Sequence, residues 1–307
     1  MLLDTASLYF RAFFGVPDSV RAPDGTPVNA VRGLLDFIAR LVSQYRPTHL
    51  ACCWDNDWRP AWRVELLPTY KAHRVEYVVA GGVDVEEAPD PLEVQVPIIR
   101  DVLAALGLAV VGADGFEADD VIGTLSERAA EAGMPTDIVT GDRDLFQLVD
   151  DGRHVRVLYT ARGVGRHEVV DEADVVRRYA VLPEQYADFA TMRGDSSDGL
   201  PGVPGVGDKT AAALLRTYGD LDSIVAAAAD GTSTMSATVR RRLVEAADYL
   251  TVAPRVVAVR RDLDLADPVL DLPAAAPQDR ERFGELRQRW GLGGAADRVV
   301  DALMSRS

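Results

Sequence analysis

An α/β fold, with a mostly parallel sheet covered by helices on both faces and an all-helical second half, is what this 307-residue sequence predicts. Short apolar, β-branched runs alternate with amphipathic stretches over about the first 160 residues, the pattern of parallel strands joined by helical crossovers. From about residue 167 such runs stop, and short helical periodicities joined by Gly/Pro turns take over. With 48% apolar and 26% charged residues, the chain has enough apolar material for about two globular cores.

In chain order, Met1-Leu2-Leu3 ahead of Asp4 supplies a very short first strand. Val28, Val31, Leu34, Leu35, Ile38, Leu41 and Val42 recur three or four apart, the stripe of a buried helix face. Residues 48–54, 108–112, 136–140 and 155–160 have strand length and β-branched content, and helical periodicity over 94–106 and 117–132 lies between them. The stretch 58–91 breaks this rhythm with Pro60, Pro68, Pro89 and Pro91, the Gly81-Gly82 pair and an acidic run from 84 to 93. It reads as a long, partly helical excursion from the sheet. Helices are expected over 172–179, 183–193, 208–218, 221–229, 237–251, 280–290 and 295–304.

Composition removes several functions. No apolar run approaches the ~18 residues of a membrane-spanning helix, and the N-terminus lacks the cationic segment of a secretory signal. Cys52 and Cys53 are neighbours that cannot frame a disulfide scaffold, so a cytoplasmic chain is expected. A net charge of −15 argues against a nonspecific nucleic-acid coat but suits a site that gathers carboxylates around divalent cations. Only Lys71 and Lys209 among the 33 basic residues are lysine. Compositional bias explains most of that scarcity, and the two survivors mark places where a compact point charge is needed.

Asp4, Asp55 and Asp142 each stand at the end of an apolar run, and ligands of open parallel sheets bind at the strands' carboxyl ends. Helix capping accounts for any one of them equally well. Compensation of a helix dipole explains some of the negative charge at Glu117, Asp119 and Asp120, but not three acids in four positions, which repel unless a cation offsets them. Asp142 and Asp144 lie two apart, and Asp195 and Asp198 open the helical half. Oxygen ligands without His or Cys clusters favour Mg²⁺ or Mn²⁺, and two or more such ions suit phosphodiester cleavage. In the stretch 201–211, Gly202, Gly205 and Gly207 superficially match a dinucleotide fingerprint, yet no strand precedes them and Pro201 and Pro204 interrupt the turn. A glycine turn opening a helix, with Lys209 beside it, offers backbone N–H groups to a DNA phosphate; a plain tight connection is the alternative.

The motifs FEADD, TGDRDLFQLV, RGDSSDGLPGVPGVGDKTA and WRPAWRVELLPTYKAHR together resemble the bacterial flap endonuclease family, the 5′-nuclease that also forms the first domain of bacterial DNA polymerase I. The resemblance covers about residues 1–260. It implies a PIN-like catalytic domain over 1–166 with a helical arch at about 57–95, a helix-three-turn-helix DNA-binding domain over 167–262, and a C-terminal helical segment over 263–307. Carried over residue by residue, the family's metal carboxylates fall on Asp4, Asp55, Glu117, Asp119, Asp120, Asp142, Asp144, Asp195 and Asp198. Its DNA-contacting positions fall on Arg63, Tyr70, Lys71, Arg74, Gly202, Gly205, Gly207 and Lys209, with K⁺ at the glycine turn. Lys71, Arg74, Asp120 and Asp142 are the expected catalytic residues. The expected activity is metal-dependent cleavage of 5′-flapped or branched DNA in replication and repair by a stand-alone monomer. A PIN-type ribonuclease and a non-cleaving branched-DNA-binding protein are the alternatives. Two features depart from the pattern: only three residues precede Asp4, and the arch runs into the acidic stretch 84–93.

Overall fold

The computed structural model describes residues 1–79, 82–230 and 232–305, so Gly81 of the expected glycine pair lies outside the described residues. Its strands are β1 (Leu2–Asp4), β2 (Ala51–Trp54), β3 (Val75–Tyr77), β4 (Val85–Glu86), β5 (Ala109–Gly112), β6 (Thr136–Thr140), β7 (Val155–Tyr159) and β8 (Glu168–Val170). Six of them form one sheet in the order β5-β2-β1-β6-β7-β8. All neighbours in it pair in parallel except β7 and β8. The antiparallel β8 corrects the expectation that strands stop before 168. Three residues, Glu168, Val169 and Val170, carry too little pattern to announce a strand, and pairing with β7 makes one of them.

Strand side chains alternate between two cores, as a two-residue period requires. Leu3, Cys52, Val139 and Leu158 face one side. There they meet α1 (Thr5–Gly15), α2 (Asn29–Tyr45) and, beyond the short α3 (Ala61–Leu66) and α4 (Asp90–Glu93), α5 (Val96–Leu106). Leu2, Ala51, Cys53, Ile138 and Val157 face the other side, against α6 (Ala118–Glu131). The adjacent cysteines therefore lie in different cores, both free and buried.

The helical half comprises α7 (Glu172–Tyr179), α8 (Tyr186–Arg193), α9 (Asp208–Tyr218), α10 (Leu221–Ala229), α11 (Ala237–Glu245) and α12 (Ala247–Val257). The single helix expected over 237–251 is thus two, broken at Ala246, which has left helical geometry. The chain then returns to the catalytic half: α13 (Arg280–Arg289) and α14 (Gly293–Met304) bury Phe283, Leu286, Ala296 and Val299 in the core that α2 and α5 share. The C-terminal segment is therefore an outer layer of the first domain. Among the described residues, no helix is long and apolar enough to cross a membrane.

The excursion 57–95 is more ordered than its prolines suggest. It holds α3, a 3₁₀ turn at Ala72–Arg74, the β3–β4 hairpin and α4. Arg59 gathers it, donating from Nε to the Tyr70 carbonyl (2.7 Å) and from Nη2 to that of Pro68 (3.2 Å), while Nη1 pairs with Asp84 at 2.5 Å. Trp58 Nε1 also donates to the Asp84 carbonyl (2.7 Å).

Candidate active site

The carboxyl ends of β1 and β2 deliver Asp4 and Asp55, and the turn after β6 delivers Asp142 and Asp144. Glu117 caps α6 and Asp119 lies in its first turn, where the helix dipole tolerates negative charge. Asp195 and Asp198 enter from the turn after α8. These eight acids line one cleft of about 1080 Å³ together with Lys71 and Arg74.

Asp120, expected as both catalytic acid and metal ligand, does not line the cleft. Successive helix residues point about 100° apart, and Asp120 is wholly buried on the far side of α6. There Arg63 grips both its oxygens (2.9 and 2.8 Å) and the Arg260 amide donates to it (2.9 Å). Arg63 is buried with it: Nε donates to the Val256 carbonyl (3.1 Å), and Nη1 reaches Glu117 at 3.0 Å. It is an internal tie between α3, α6 and α12, not a DNA-facing arch residue. Tyr70 also departs from expectation. Its ring is 4% exposed, its hydroxyl donates to Glu117 Oε1 (2.7 Å), and the Lys71 and Arg63 cations lie 5.2 and 5.8 Å from its ring centre, so no face is open to a base.

The acids divide by what faces them. Burial opposes ionisation of Glu117, yet Lys71 and Arg63 outweigh it and hold the carboxyl below its ordinary range. Lys71 Nζ meets Glu117 Oε2 directly, and its backbone amide donates to the Asp198 carbonyl (2.9 Å). Asp195, also partly buried, is held low by Ser197 and by Arg143 at 2.6 Å. Arg74 donates to Asp198 (2.9 Å) and to the Ser197 carbonyl (2.6 Å), although burial still raises Asp198.

Nothing comparable faces the rest. Burial, with Asp55 and Asp142 nearby, pushes Asp4 up to about 7 against the hydrogen bond from Thr140 (2.7 Å). Burial and then Asp4 and Asp142 raise Asp119 well above the carboxylate range; burial, then Asp142 and Asp198, do the same to Asp144. Asp144 Oδ1 is buried without a hydrogen-bond partner. Asp55 accepts only the Ala118 amide (2.8 Å) and is likewise raised by burial. Among the described residues, no three acidic, His or Cys side chains are disposed as they stand to hold an ion. Of the nine acids expected from sequence, eight therefore line the cleft, with Glu86 beside them, and three of the eight, Glu117, Asp195 and Asp198, are paired with the protein's own cations. An oxygen-only set with unneutralised members and an orphaned buried oxygen fits hard divalent cations.

At the glycine turn, Gly202 and Gly205 have positive φ (65° and 76°) and Gly207 is the extended residue capping α9. Gly202 is buried, and a Cβ there would stand 2.6 Å from the Arg193 carbonyl and the Gly194 nitrogen. Its role is close packing within the chain, not contact with DNA. Gly205, Gly207 and Lys209 are exposed. The Gly205 carbonyl accepts from Arg242 Nη1 (2.9 Å), and the Gly207 carbonyl accepts the amides of Thr210 and Ala211. Sequence reasoning missed Arg143 and Arg193, whose only signal was an arginine inside GDRD and another just before GD.

Comparison with known proteins matches two family models that meet near residue 180. Residues 1–180 match the family described as 5′-3′ exonuclease, N-terminal resolvase-like domain, and residues 181–280 match 5′-3′ exonuclease, C-terminal SAM fold. A 5′-3′ exonuclease of Streptomyces coelicolor is 60% identical over 303 residues, covering 99% of each chain. One of Mycobacterium tuberculosis is 50% identical over 311 residues, covering 99% of this chain and 97% of the other. DNA polymerase I of Mycobacterium bovis is 37% identical over 312 residues, 99% of this chain but 32% of the polymerase. Among solved structures, the T5 D15 protein co-crystallised with metal ions matches with TM-score 0.66 at 16% identity, covering 100% and 98% of the two chains. Flap endonuclease-1 from Methanococcus jannaschii matches with TM-score 0.60 at 15% identity, covering 100% and 93%. At these identities the structures establish a shared fold.

Proposed function

The chain belongs to the 5′-3′ exonuclease family and is a structure-specific 5′-nuclease; from that premise we propose that it cuts DNA at 5′ flaps and trims 5′ ends with Mg²⁺ or Mn²⁺ in the cleft. The observation that carries this reading is the set Asp4, Asp55, Asp119, Asp142 and Asp144, in no ion pair among the described residues and lining one cleft with two arch cations. Those five acids would hold the ions, with Glu117, Asp195 and Asp198 around them. When bound, divalent ions supply Lewis-acid stabilisation of charge on the phosphate and make an attacking water more acidic.

The chain's own groups do the rest. Lys71 and Arg74 exchange their present partners, Glu117 and Asp198, for the oxygens of the scissile phosphate, where charge accumulates during attack. Water adds to phosphorus, the P–O3′ bond breaks, and the departing 3′ oxygen takes a proton, leaving 5′-phosphate and 3′-hydroxyl ends. The exposed Gly207 amide and Lys209 hold a backbone phosphate of the duplex at the N-terminus of α9.

Cleavage of matched DNA and RNA 5′ flaps tests it. Cutting of the DNA flap near the branch in Mg²⁺, abolished by EDTA, is expected. Equal or faster cutting of RNA would favour a ribonuclease, and binding without any cutting would favour a branched-DNA receptor.

A further inference from the structure

Two buried polar atoms of opposite kinds have no hydrogen-bond partner among the described residues: Asp144 Oδ1 at the cleft, an acceptor, and the Tyr186 hydroxyl behind it, a donor. Buried polar atoms are rarely left so, because each forfeits its bonds to water and gains none in return. The fold brings this pair into one neighbourhood. Asp144 opens the 3₁₀ turn Asp144–Leu148, Tyr186 opens α8, and the turn packs against that helix. The ring of Phe146, two residues after Asp144, stands edge-on to that of Tyr186 with centroids 5.9 Å apart.

Tyr179 (5.2 Å) and Phe189 (5.8 Å) complete a cage of rings around Tyr186, which is wholly buried. Phenylalanine would fill that cage equally well, so packing does not explain the hydroxyl, which burial penalises. Asp144 bears on the hydroxyl more than Tyr179, Arg193 or Arg143 does. Both arginines already hold Asp195, at 3.3 and 2.6 Å, and a guanidinium offers a hydroxyl no acceptor. The acceptor left for the phenol is the orphaned oxygen of Asp144.

We propose that Tyr186 is a positioning residue for Asp144: its hydroxyl donates to Oδ1 when Asp144 holds a divalent cation, which fixes the carboxylate with its other oxygen toward the cleft. The inference rests on the nuclease reading above and deepens it. A carboxylate that carries its charge accepts a stronger hydrogen bond than a neutral acid, so the bond gains most when a cation is bound. A donor behind a metal-holding carboxylate thereby raises metal affinity without touching the ion.

Tyr186→Phe removes the oxygen and keeps the ring. The variant and wild type are compared by unfolding temperature in EDTA, by Mn²⁺ titration without DNA, and by the Mg²⁺ concentration that gives half-maximal cleavage of a 5′-flap substrate. The unfolding temperature in EDTA should be no lower than wild type, since an orphaned buried hydroxyl has gone. Mn²⁺ affinity should fall by about tenfold, and the Mg²⁺ requirement should rise by a similar factor. In an Asp144→Asn background, Tyr186→Phe should lower Mn²⁺ affinity no further, because the two groups act as a pair. Wild-type Mn²⁺ affinity and Mg²⁺ requirement in Tyr186→Phe would overturn the proposal. So would a lower unfolding temperature in EDTA, which would assign the hydroxyl to the fold, or a full further loss in the Asp144→Asn background. Wild-type protein that took up no Mn²⁺ and cut nothing would sink the nuclease reading itself, and the proposal with it.

Discussion

Lys71 stands in the cleft beside Glu117. A lone lysine on an excursion has a default reading as a solvated surface charge, yet here its ammonium lies in the cleft against Glu117, with the Trp58 carbonyl at 3.3 Å. Lys71→Ala should lower single-turnover cleavage by roughly 10²-fold, the loss typical of an electrostatic donor, with DNA affinity in Ca²⁺ nearly unchanged. Asp120 is the opposite case. Asp120→Asn should cost about 3 kcal/mol, because it leaves the buried Arg63 short of a counter-charge; thermal or urea unfolding measures it, and wild-type stability would return Asp120 to the cleft. The sequence showed that acids gather here, but Asp119 and Asp120 are adjacent and chemically alike. Only the turn of α6 decides which faces the cleft and which faces Arg63. Tyr70 and Arg63 were misread for the same reason: a motif shows which residues accompany a chemistry, not which of them support it from behind.

At the scale of elements, the arch illustrates what a local signal leaves out. Its acidic run looked like a liability for DNA contact, yet Asp84 closes onto Arg59 and Glu86 lines the cleft. Asp84→Ala removes one partner of a mostly buried ion pair and should free the β3–β4 hairpin. Faster proteolysis within 75–86, with a higher KM for flap DNA, is the expected outcome; unchanged proteolysis would mean the hairpin is held otherwise. Strand 136–140 and helices 172–179, 208–218 and 221–229 were legible to their bounds because strong caps or glycines end them. By contrast, α1 escaped notice, because Tyr9, Phe10, Phe13 and Phe14 blur its apolar stripe and it starts immediately after β1. The break between α11 and α12 carries neither proline nor glycine, only a change of direction at Ala246 that packing imposes.

Over the whole molecule, nine of the 48 acids line one cleft, and cations share it: Lys71 and Arg74 on the arch, Arg143 beside Asp142, and Arg11, Arg162 and Arg166 on the further wall. With a net charge of −15, DNA affinity is expected to come from a few placed cations, and to weaken with salt by a slope of only a handful of phosphates. That strands give way to helices was legible from the change of periodicity near residue 167. That the last helices cover the α/β half was not, because amphipathic helices do not name the surface they will meet. Asp119→Asn probes whether the unneutralised acids are where the ions work. Single-turnover cleavage of a 5′-flap substrate in Mg²⁺ should fall by at least about 10²-fold in this variant. Its affinity for the same DNA in Ca²⁺ and its unfolding temperature without metal should be no lower than wild type, since one repelling charge has gone. Cleavage at the wild-type rate would contradict the account.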